Sequence, residues 1–336
     1  MDKIKILEYL RKKDPQELFK ISSSVCKEFV GEEVFIRGII EFSNFCCRDC
    51  LYCGLRRSNK NLKRYRMKES KIIDLALKIA DLGIKTVVFQ SGDDFYYTRK
   101  SICRIISRIK KKKDIAITLS IGERPFEDYL AFREAGADRY LLKHETINPA
   151  LYEFLHPYQS LKQRIKILEY LRKIGFQIGA GMIVGLPYQT LEDLADDILF
   201  LEELDPDMAG IGPFIPQKDT PLGKFRKGDL ILTLKVLSLV RILTKNTHLP
   251  ATTGLGSLGF QEAQILGLRI ACNVIMPNFT PLQYRKDYKI YDNKIEVSLE
   301  EAKRIILKAG KKVSLEKGNS LKENFKERKI LSKIRG

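Results

Sequence analysis

The chain has 336 residues, of which 44% are hydrophobic, and its 60 Lys and Arg against 42 Asp and Glu give a net charge of +18. That hydrophobic share is typical of a globular chain with a sizeable core. No apolar run approaches the ~20 residues of a membrane helix, and the N-terminus lacks the pattern of a signal peptide, so we expect a soluble, cytoplasmic protein with no membrane partner.

The positive charge is concentrated in a few stretches. Residues 300–336 hold twelve Lys and Arg against five Asp and Glu, and Lys110-Lys111-Lys112-Lys113 form another run. Such charge is compatible with a nucleic-acid partner. The sequence contains no RNA-binding module and no basic stripe interleaved with aromatic residues. We therefore expect a solvated, Lys-rich surface and no nucleic-acid partner.

The hydrophobic pattern predicts N-terminal helices in residues 2–30, followed by an alternation of strands and helices. Eight apolar runs have the length of buried strands: 34–42, 85–90, 115–120, 139–144, 177–184, 208–214, 250–253 and 271–276. Amphipathic helical patterns occupy residues 69–82, 99–111, 126–135, 161–174, 191–204, 230–244, 258–266 and 298–309. This order is typical of a parallel sheet covered by helices.

Eight strand–helix units favour a closed barrel over an open sheet. The predicted fold class is therefore α/β, a (βα)8 TIM-type barrel with N-terminal helices and a short C-terminal extension. We predict three parts: an N-terminal helical segment in residues 1–33, the barrel in residues 34–295, and a C-terminal helix with a loose basic tail in residues 296–336.

Polar residues follow most of the predicted strands, at the edge where barrel enzymes carry their chemistry. Cys46 follows the first strand. Later strand ends carry Gln90-Ser91-Gly92-Asp93-Asp94, then Thr118, Ser120 and Glu123, then His144-Glu145-Thr146, Thr252-Thr253 and Pro277-Asn278. We expect these residues to form one large site.

Four of the seven cysteines lie between Cys46 and Cys53, in the pattern Cys46-x3-Cys50-x2-Cys53 with Cys47 as the fourth. Adjacent side chains seldom bind one tetrahedral metal, so we leave Cys47 out of the ligand set. A structural zinc site usually needs two separated pairs of ligands, and an electron-transfer [4Fe–4S] cluster needs four cysteines. Three cysteines leave one iron open. That open iron is the site at which S-adenosylmethionine (SAM) binds in radical SAM enzymes, where a transferred electron breaks a C–S bond and releases a 5′-deoxyadenosyl radical.

Several longer stretches resemble one family, that of HydE, the radical SAM maturase of [FeFe]-hydrogenase. They are Ile40-Glu41-Phe42-Ser43-Asn44, residues 59–67, Val88-Phe89-Gln90-Ser91-Gly92, residues 135–146, residues 210–216, Pro250-Ala251-Thr252-Thr253 and residues 273–278. The resemblance runs from about residue 30 to 295. Biotin synthase and methylornithine synthase share the architecture.

The resemblance implies roles for residues at the strand ends. Cys46, Cys50 and Cys53 would hold one [4Fe–4S] cluster, and the aromatic ring of Tyr52 would lie against the adenine of SAM. The other residues that would bind SAM are Gln90, Ser91, Gly92, Ser120, Glu145, Arg164, Met208, Met276, Tyr288 and Tyr291. Thr118, Arg139, Thr252 and Thr253 would line an internal cavity, where buried hydroxyls and a guanidinium need a polar or anionic substrate.

The resemblance also implies a substrate and partners. The radical would act on a small organometallic iron precursor that bears CO, cyanide and a cysteine ligand, and the product would pass towards the 2Fe subcluster of hydrogenase. Partner hydrogenase maturases, an external one-electron donor and an anaerobic cell are implied as well. No cysteine follows Cys272, so we expect a single cluster, whereas some family members carry a second one.

Other functions remain compatible with the residues alone. A mutase of small amino acids like methylornithine synthase, or a HydE paralogue with another small substrate, would use the same cysteines. A passive iron–sulfur carrier would hold a cluster without cleaving SAM.

Overall fold

The structure, a computed structural model, describes residues 1–322. Its helices are α1 (Lys3–Arg11), α2 (Gln16–Phe29), α3 (Glu69–Asp81), α4 (Arg99–Lys110), α5 (Phe126–Glu134), α6 (Pro149–Leu155), α7 (Leu161–Lys173), α8 (Leu191–Leu204), α9 (Leu230–Thr244), α10 (Thr253–Ile270), α11 (Leu282–Arg285) and α12 (Leu299–Lys308). Its strands are β1 (Glu33–Ile36), β2 (Gly38–Ser43), β3 (Thr86–Ser91), β4 (Ala116–Ser120), β5 (Arg139–Leu141), β6 (Gln177–Ala180), β7 (Ile183–Val184), β8 (Met208–Ala209), β9 (Gly212–Pro213), β10 (Val274–Ile275) and β11 (Lys312–Ser314).

The parallel strands form a closed ring. Six of them pair in the order β2-β3-β4-β5-β6-β8. Single bridges complete the circle: β8 pairs with His248, Pro250 pairs with β10, and Asn278 pairs with Ile39 of β2. The ring therefore has eight members, and the predicted α/β barrel is confirmed.

The prediction of a seventh strand in residues 250–253 is wrong. Pro250 has no N–H to donate to a sheet, and it makes only a single bridge. Two residues later, the Thr252 hydroxyl accepts a hydrogen bond from Leu255 N and caps α10. The chain at this position therefore forms its part of the barrel wall in an irregular conformation. It then turns at once into a helix.

Other predicted strands are divided. The run 34–42 splits at Arg37 into β1 and β2, while 177–184 and 208–214 each become two short strands. Within β4, Ile117 and Leu119 belong to the main hydrophobic core, where Leu119 packs with side chains of α4. Because side chains alternate along a strand, Thr118 and Ser120 face the inside of the barrel.

The chain continues past α12 into structure that the sequence did not predict. β11 pairs in parallel with β1, opposite the side on which β1 pairs with β10. Residues 315–322 then cross the amino ends of the barrel strands, where Asn319 O accepts a hydrogen bond from His248 Nε2 at 2.8 Å. Residues 310–322 are thus not a loose tail, and the rest of the predicted basic tail lies outside the described residues.

Arg139 anchors this bottom cover, the segment of residues 315–322. Its guanidinium donates to Lys317 O at 2.7 Å and Gly318 O at 2.9 Å, and also to Gln177 and Thr86 at the starts of their strands. Burial lowers the pKa of Arg139 to about 10, so the group stays charged at neutral pH.

The position of Arg139 corrects the expectation that it lines the substrate cavity. Arg139 opens β5, whereas Cys46 follows the last residue of β2, so the two lie at opposite ends of parallel strands. Its contacts are those of a structural residue.

Among the described residues, no helix has both the length and the hydrophobicity needed to cross a bilayer.

Replacing Arg139 should loosen the bottom cover. In Arg139→Ala, the carbonyls of Lys317 and Gly318 lose a charged donor, so opening of this segment should become easier by about 3 kcal/mol. Amide hydrogen exchange in residues 312–322 should then accelerate by about two orders of magnitude. The matched control is Arg104→Ala, which removes an exposed ion pair with Glu69 and should leave this exchange unchanged. Unaltered protection in Arg139→Ala would contradict the anchoring role.

Candidate active site

The cysteines lie on a loop, residues 44–64, that follows β2 and contains no regular secondary structure. Arg64 closes this cysteine loop from inside. Its guanidinium donates to the carbonyls of Asn44 and Leu55 at 2.5 and 2.9 Å, and to those of Arg56 and Asn59 at 2.7 and 3.2 Å. One side chain thereby satisfies four backbone carbonyls that have no hydrogen bond from a helix or a sheet.

Three thiols converge inside the loop. The pKa of Cys46, Cys50 and Cys53 is raised to about 12 each, mainly by burial and in part by the negative charge of a neighbouring cysteine. Cys47 is exposed, as its exclusion from the ligand set requires. The structure therefore brings together the three cysteines that the spacing singled out.

Hydrogen-bond donors surround two of the sulfurs. The backbone N–H groups of Arg48 and Asp93 each lie 3.4 Å from Cys46 Sγ. The side-chain amide of Gln159 donates to Cys50 Sγ, also at 3.4 Å. Donors at this distance stabilise negative charge on sulfur.

A network of charged side chains connects these donors. Arg48 binds Asp93 at 2.8 Å and Glu123 at 3.1 Å. Arg164 binds Glu123 at 2.6 Å and the side-chain oxygen of Gln159 at 3.1 Å. The network thus runs from the residue that donates to Cys46 to the residue that donates to Cys50. Arg48 and Gln159 were not predicted from the sequence: Arg48 lies inside the cysteine motif, but no local pattern marks Gln159.

The donor set fits a [4Fe–4S] cluster. Thiols as buried as these are neutral on their own and become thiolates when iron supplies positive charge. Among residues 1–322, no group of three or more Cys, His, Asp or Glu side chains converges as ligands of a single metal ion, whereas a cluster binds each cysteine at a separate iron. Gly92 leaves no room for a side chain, because a Cβ there would lie 2.6 Å from Cys46 Cβ. The end of β3 therefore packs directly on the cysteine loop.

The residues predicted to bind SAM at the first strand ends are neighbours. Gln90 pairs in register with Ser120 on one side and with Glu41 on the other. The hydroxyl of Ser91 donates to Gly92 O at 2.7 Å. This rim of the barrel therefore presents amide, hydroxyl and backbone groups beside the cysteine loop.

Tyr52 is held at the edge of the site. Its hydroxyl lies 2.9 Å from His156 Nε2, and the His156 ring stacks on Tyr152. Burial lowers the pKa of His156 to about 4, so the imidazole is neutral at pH 7. The hydrogen bond fixes the orientation of the Tyr52 ring.

Glu145 and Arg164 are already paired in this structure. The Glu145 carboxylate lies 3.0 Å from Lys143 Nζ, and its backbone has a positive φ of 66°. The guanidinium of Arg164 donates to Glu123, Gln159 and Lys143 O, so its donors are engaged within the protein. To bind SAM as the resemblance implies, it would have to share donors with Glu123.

The barrel mouth holds the predicted tyrosines and threonines. The hydroxyls of Tyr291 and Thr253 form a hydrogen bond at 2.9 Å, while the Thr252 hydroxyl caps α10. Tyr288 is buried and packs against the same apolar side chains as Cys46 and Cys53. A polar cleft of about 500 Å³ opens beside Tyr288 and Tyr291.

Deeper in the barrel lies a polar group without a partner. Thr118 is 1% exposed, and its hydroxyl makes no hydrogen bond with any described residue. Met208 opens β8, where Arg37 Nη1 approaches its sulfur at 3.5 Å, and Met276 follows β10, two positions further round the ring. Arg37 was not predicted from the sequence. The orphaned Thr118 hydroxyl indicates an interior that accepts a polar ligand.

Comparison with known proteins identifies the family. The radical SAM superfamily model matches residues 40–201. The [FeFe] hydrogenase maturase subunit HydE of Thermotoga maritima is 52% identical over 83% of this chain and 80% of its own length. A 3-methylornithine synthase of Methanosarcina acetivorans is 25% identical over 84% of this chain and 81% of its own.

A solved structure of methylornithine synthase has the same fold, with a TM-score of 0.82 over 93% of this chain and 94% of that one, at 23% identity. The barrel, the three converging thiols and the identity to HydE agree with one another. The chain is a radical SAM enzyme and belongs to the HydE family.

Proposed function

We propose that this protein is a maturase of [FeFe]-hydrogenase that cleaves SAM reductively and uses the resulting 5′-deoxyadenosyl radical during assembly of the 2Fe subcluster. The observation that carries this proposal is the 52% identity to HydE over 83% of the chain, together with three half-buried thiols on one loop. Partner maturases, an external electron donor and a cytoplasmic, anaerobic setting belong to the same proposal.

Cys46, Cys50 and Cys53 would hold the [4Fe–4S] cluster. The cluster, when bound, supplies the single electron that breaks a C–S bond of SAM. The chain's own residues orient and enclose this site: the Tyr52 ring is fixed by His156 beside the cysteines, and the rim of β3 and β4 offers polar groups. For SAM we keep the predicted set of residues as part of the proposal. Arg164 would act through its ion pair with Glu123.

The substrate would occupy the interior below this rim. Thr118 offers an unpartnered hydroxyl there, and Thr252 and Thr253 lie at the mouth. We propose an organometallic iron precursor carrying CO, cyanide and a cysteine ligand, which presents polar diatomic ligands to such hydroxyls. Arg139 is left out of this set, because its donors bind the bottom cover.

One cluster should assemble on each chain. Anaerobic reconstitution should give about four iron and four acid-labile sulfide per chain. Cys50→Ala should lose the cluster's absorbance and most of its iron, because one of the three ligands is gone. Cys47→Ala is the matched control and should load fully, since its thiol is exposed. A wild-type protein that binds only zinc, or one that loads near eight irons, would contradict this prediction.

Gln159 should tune the cluster. Its amide donates to Cys50 Sγ, and this hydrogen bond stabilises the more negative, reduced state. Gln159→Leu should lower the midpoint potential by on the order of 40 mV, which corresponds to about 1 kcal/mol for one electron. A potentiometric titration followed by electron paramagnetic resonance measures this shift. Gln163→Leu, an exposed change in the first turn of α7, should leave the potential unchanged, and equal potentials in both variants would refute the role of Gln159.

The proposed function is tested in two steps. Anaerobic protein given SAM and dithionite should form 5′-deoxyadenosine, and its addition to a cell-free maturation mixture lacking HydE should activate apo-hydrogenase. Thr118→Val keeps the shape of the side chain and removes the hydroxyl, so it should impair hydrogenase activation more than SAM cleavage. SAM cleavage without any hydrogenase activation would instead favour a mutase like methylornithine synthase or a paralogue with another substrate.

A further inference from the structure

Three exposed aromatic rings form a row on the surface, which we call the aromatic ladder. Tyr188 lies between Phe154 and Phe225, with ring centroids 5.6 Å apart on each side. The three side chains are 44%, 70% and 38% exposed in the order Phe154, Tyr188, Phe225. Single apolar residues are common on protein surfaces, but a contiguous row of aromatic rings marks a contact surface.

The backbone of the central ring is strained. Tyr188 has a φ of 69°, in the left-handed region that aromatic residues rarely adopt. Such a conformation costs on the order of 1–3 kcal/mol and persists where the surrounding structure enforces it. Here it holds an exposed ring between two others rather than burying it.

The aromatic ladder is attached to the cysteine loop. Leu51, which directly follows Cys50, donates its N–H to Leu155 O at 2.9 Å and accepts a hydrogen bond from Leu222 N at 3.3 Å. Leu155 follows the first ladder ring in the chain, and Leu222 O accepts a hydrogen bond from the backbone N–H of the third. The segments that carry two of the three rings are therefore hydrogen-bonded to the loop that holds the thiols.

Unpaired positive charge lies beside the rings. Lys224, Arg226 and Lys227 flank Phe225 and are exposed, and none of them forms an ion pair with any of residues 1–322. The nearest acidic residue in the sequence, Asp229, is occupied as the cap of α9, where it accepts a hydrogen bond at 2.6 Å. With three such cations against the exposed Glu153 beside Phe154, the rim of the aromatic ladder carries a net positive charge that can meet negative charge.

We propose that the aromatic ladder and its basic rim dock a small acidic protein that carries single electrons, of the flavodoxin type. This inference rests on the proposed function, which needs one external electron for each SAM cleaved. At this surface the carrier is oxidised by one electron and the cysteine-bound cluster is reduced by one, and no bond is made or broken. Aromatic residues and Arg are the side chains that protein interfaces prefer.

Two other occupants fit less well. In a symmetric contact with a second copy of this chain, the same basic rim would face itself, and like charges repel. Single-stranded RNA stacks its bases on open ring faces, whereas these rings pack edge to face, with interplanar angles of 83° and 68°. Of the three occupants, only an electron carrier needs to bind close to the cysteine loop.

The experiment compares two sources of electrons for the reconstituted full-length protein. Formation of 5′-deoxyadenosine is driven either by an acidic flavodoxin reduced to its hydroquinone or by dithionite, which needs no docking. One variant removes the rings as Phe154→Ser, Tyr188→Asn and Phe225→Ser, with Asn chosen because it tolerates a positive φ. A second reverses the charge as Lys224→Glu, Arg226→Glu and Lys227→Glu.

The matched control reverses three exposed charges at the other end of the barrel, as Lys78→Glu, Lys111→Glu and Lys112→Glu. Both ladder variants should raise the flavodoxin concentration needed for half-maximal rate at least about tenfold, with the dithionite rate within about twofold of wild type. The control should change neither. Flavodoxin binding measured by calorimetry should weaken in parallel, and it reports on docking even if SAM is not cleaved.

Each other outcome overturns the inference. Equal flavodoxin dependence in wild type and both ladder variants shows that the carrier docks elsewhere. A parallel loss with dithionite shows that the rings support the site rather than a partner. A dimer in sedimentation analysis that the ladder variants dissolve, or oligouridine binding that they abolish while flavodoxin binding persists, assigns the surface to another occupant. Absent cleavage with dithionite in wild type refutes the proposed function separately.

Discussion

The placement of three half-buried thiols beside two carboxylates is the constraint on which the site depends. Asp93 and Glu123 lie within the network that reaches the cysteines, so ionising the thiols adds negative charge to a region that is already acidic. Arginine supplies the balance. Arg48 and Arg164 neutralise the carboxylates, while Arg64 holds the loop backbone through four carbonyls. Arg suits both tasks because its donors form a rigid fork and its charge persists when buried.

The sequence predicted the barrel well because its signal is local and repeated. Apolar runs separated by amphipathic helices define βα units without knowledge of tertiary contacts. The prediction was wrong at residues 250–253, where a proline in a short apolar run was read as a strand although the next turn already begins a helix. It also placed Arg139 in the substrate cavity. A buried arginine in a strand faces the interior in either case, and only the bottom cover shows which end of the barrel it serves.

The site was predictable where the functional residues lie close together in the sequence. The spacing of Cys46, Cys50 and Cys53 belongs to this class, and the exclusion of Cys47 followed from the geometry of adjacent side chains. Gln159 and the aromatic ladder belong to the other class. Gln159 reaches a sulfur on a residue 109 positions earlier in the chain, and the three rings come from one helix and two separate loops. Nothing in the local pattern marks residues that matter only after the chain has closed.

The pairing of β1 has a consequence for how the chain is made. β1 lies between β10 and β11, so the first strand to leave the ribosome waits for partners that are synthesised more than 230 residues later. Until then its edge is open, and contacts so distant in sequence form slowly. The N-terminal residues therefore depend on early helix packing, or on a chaperone, to keep that edge from pairing with another chain.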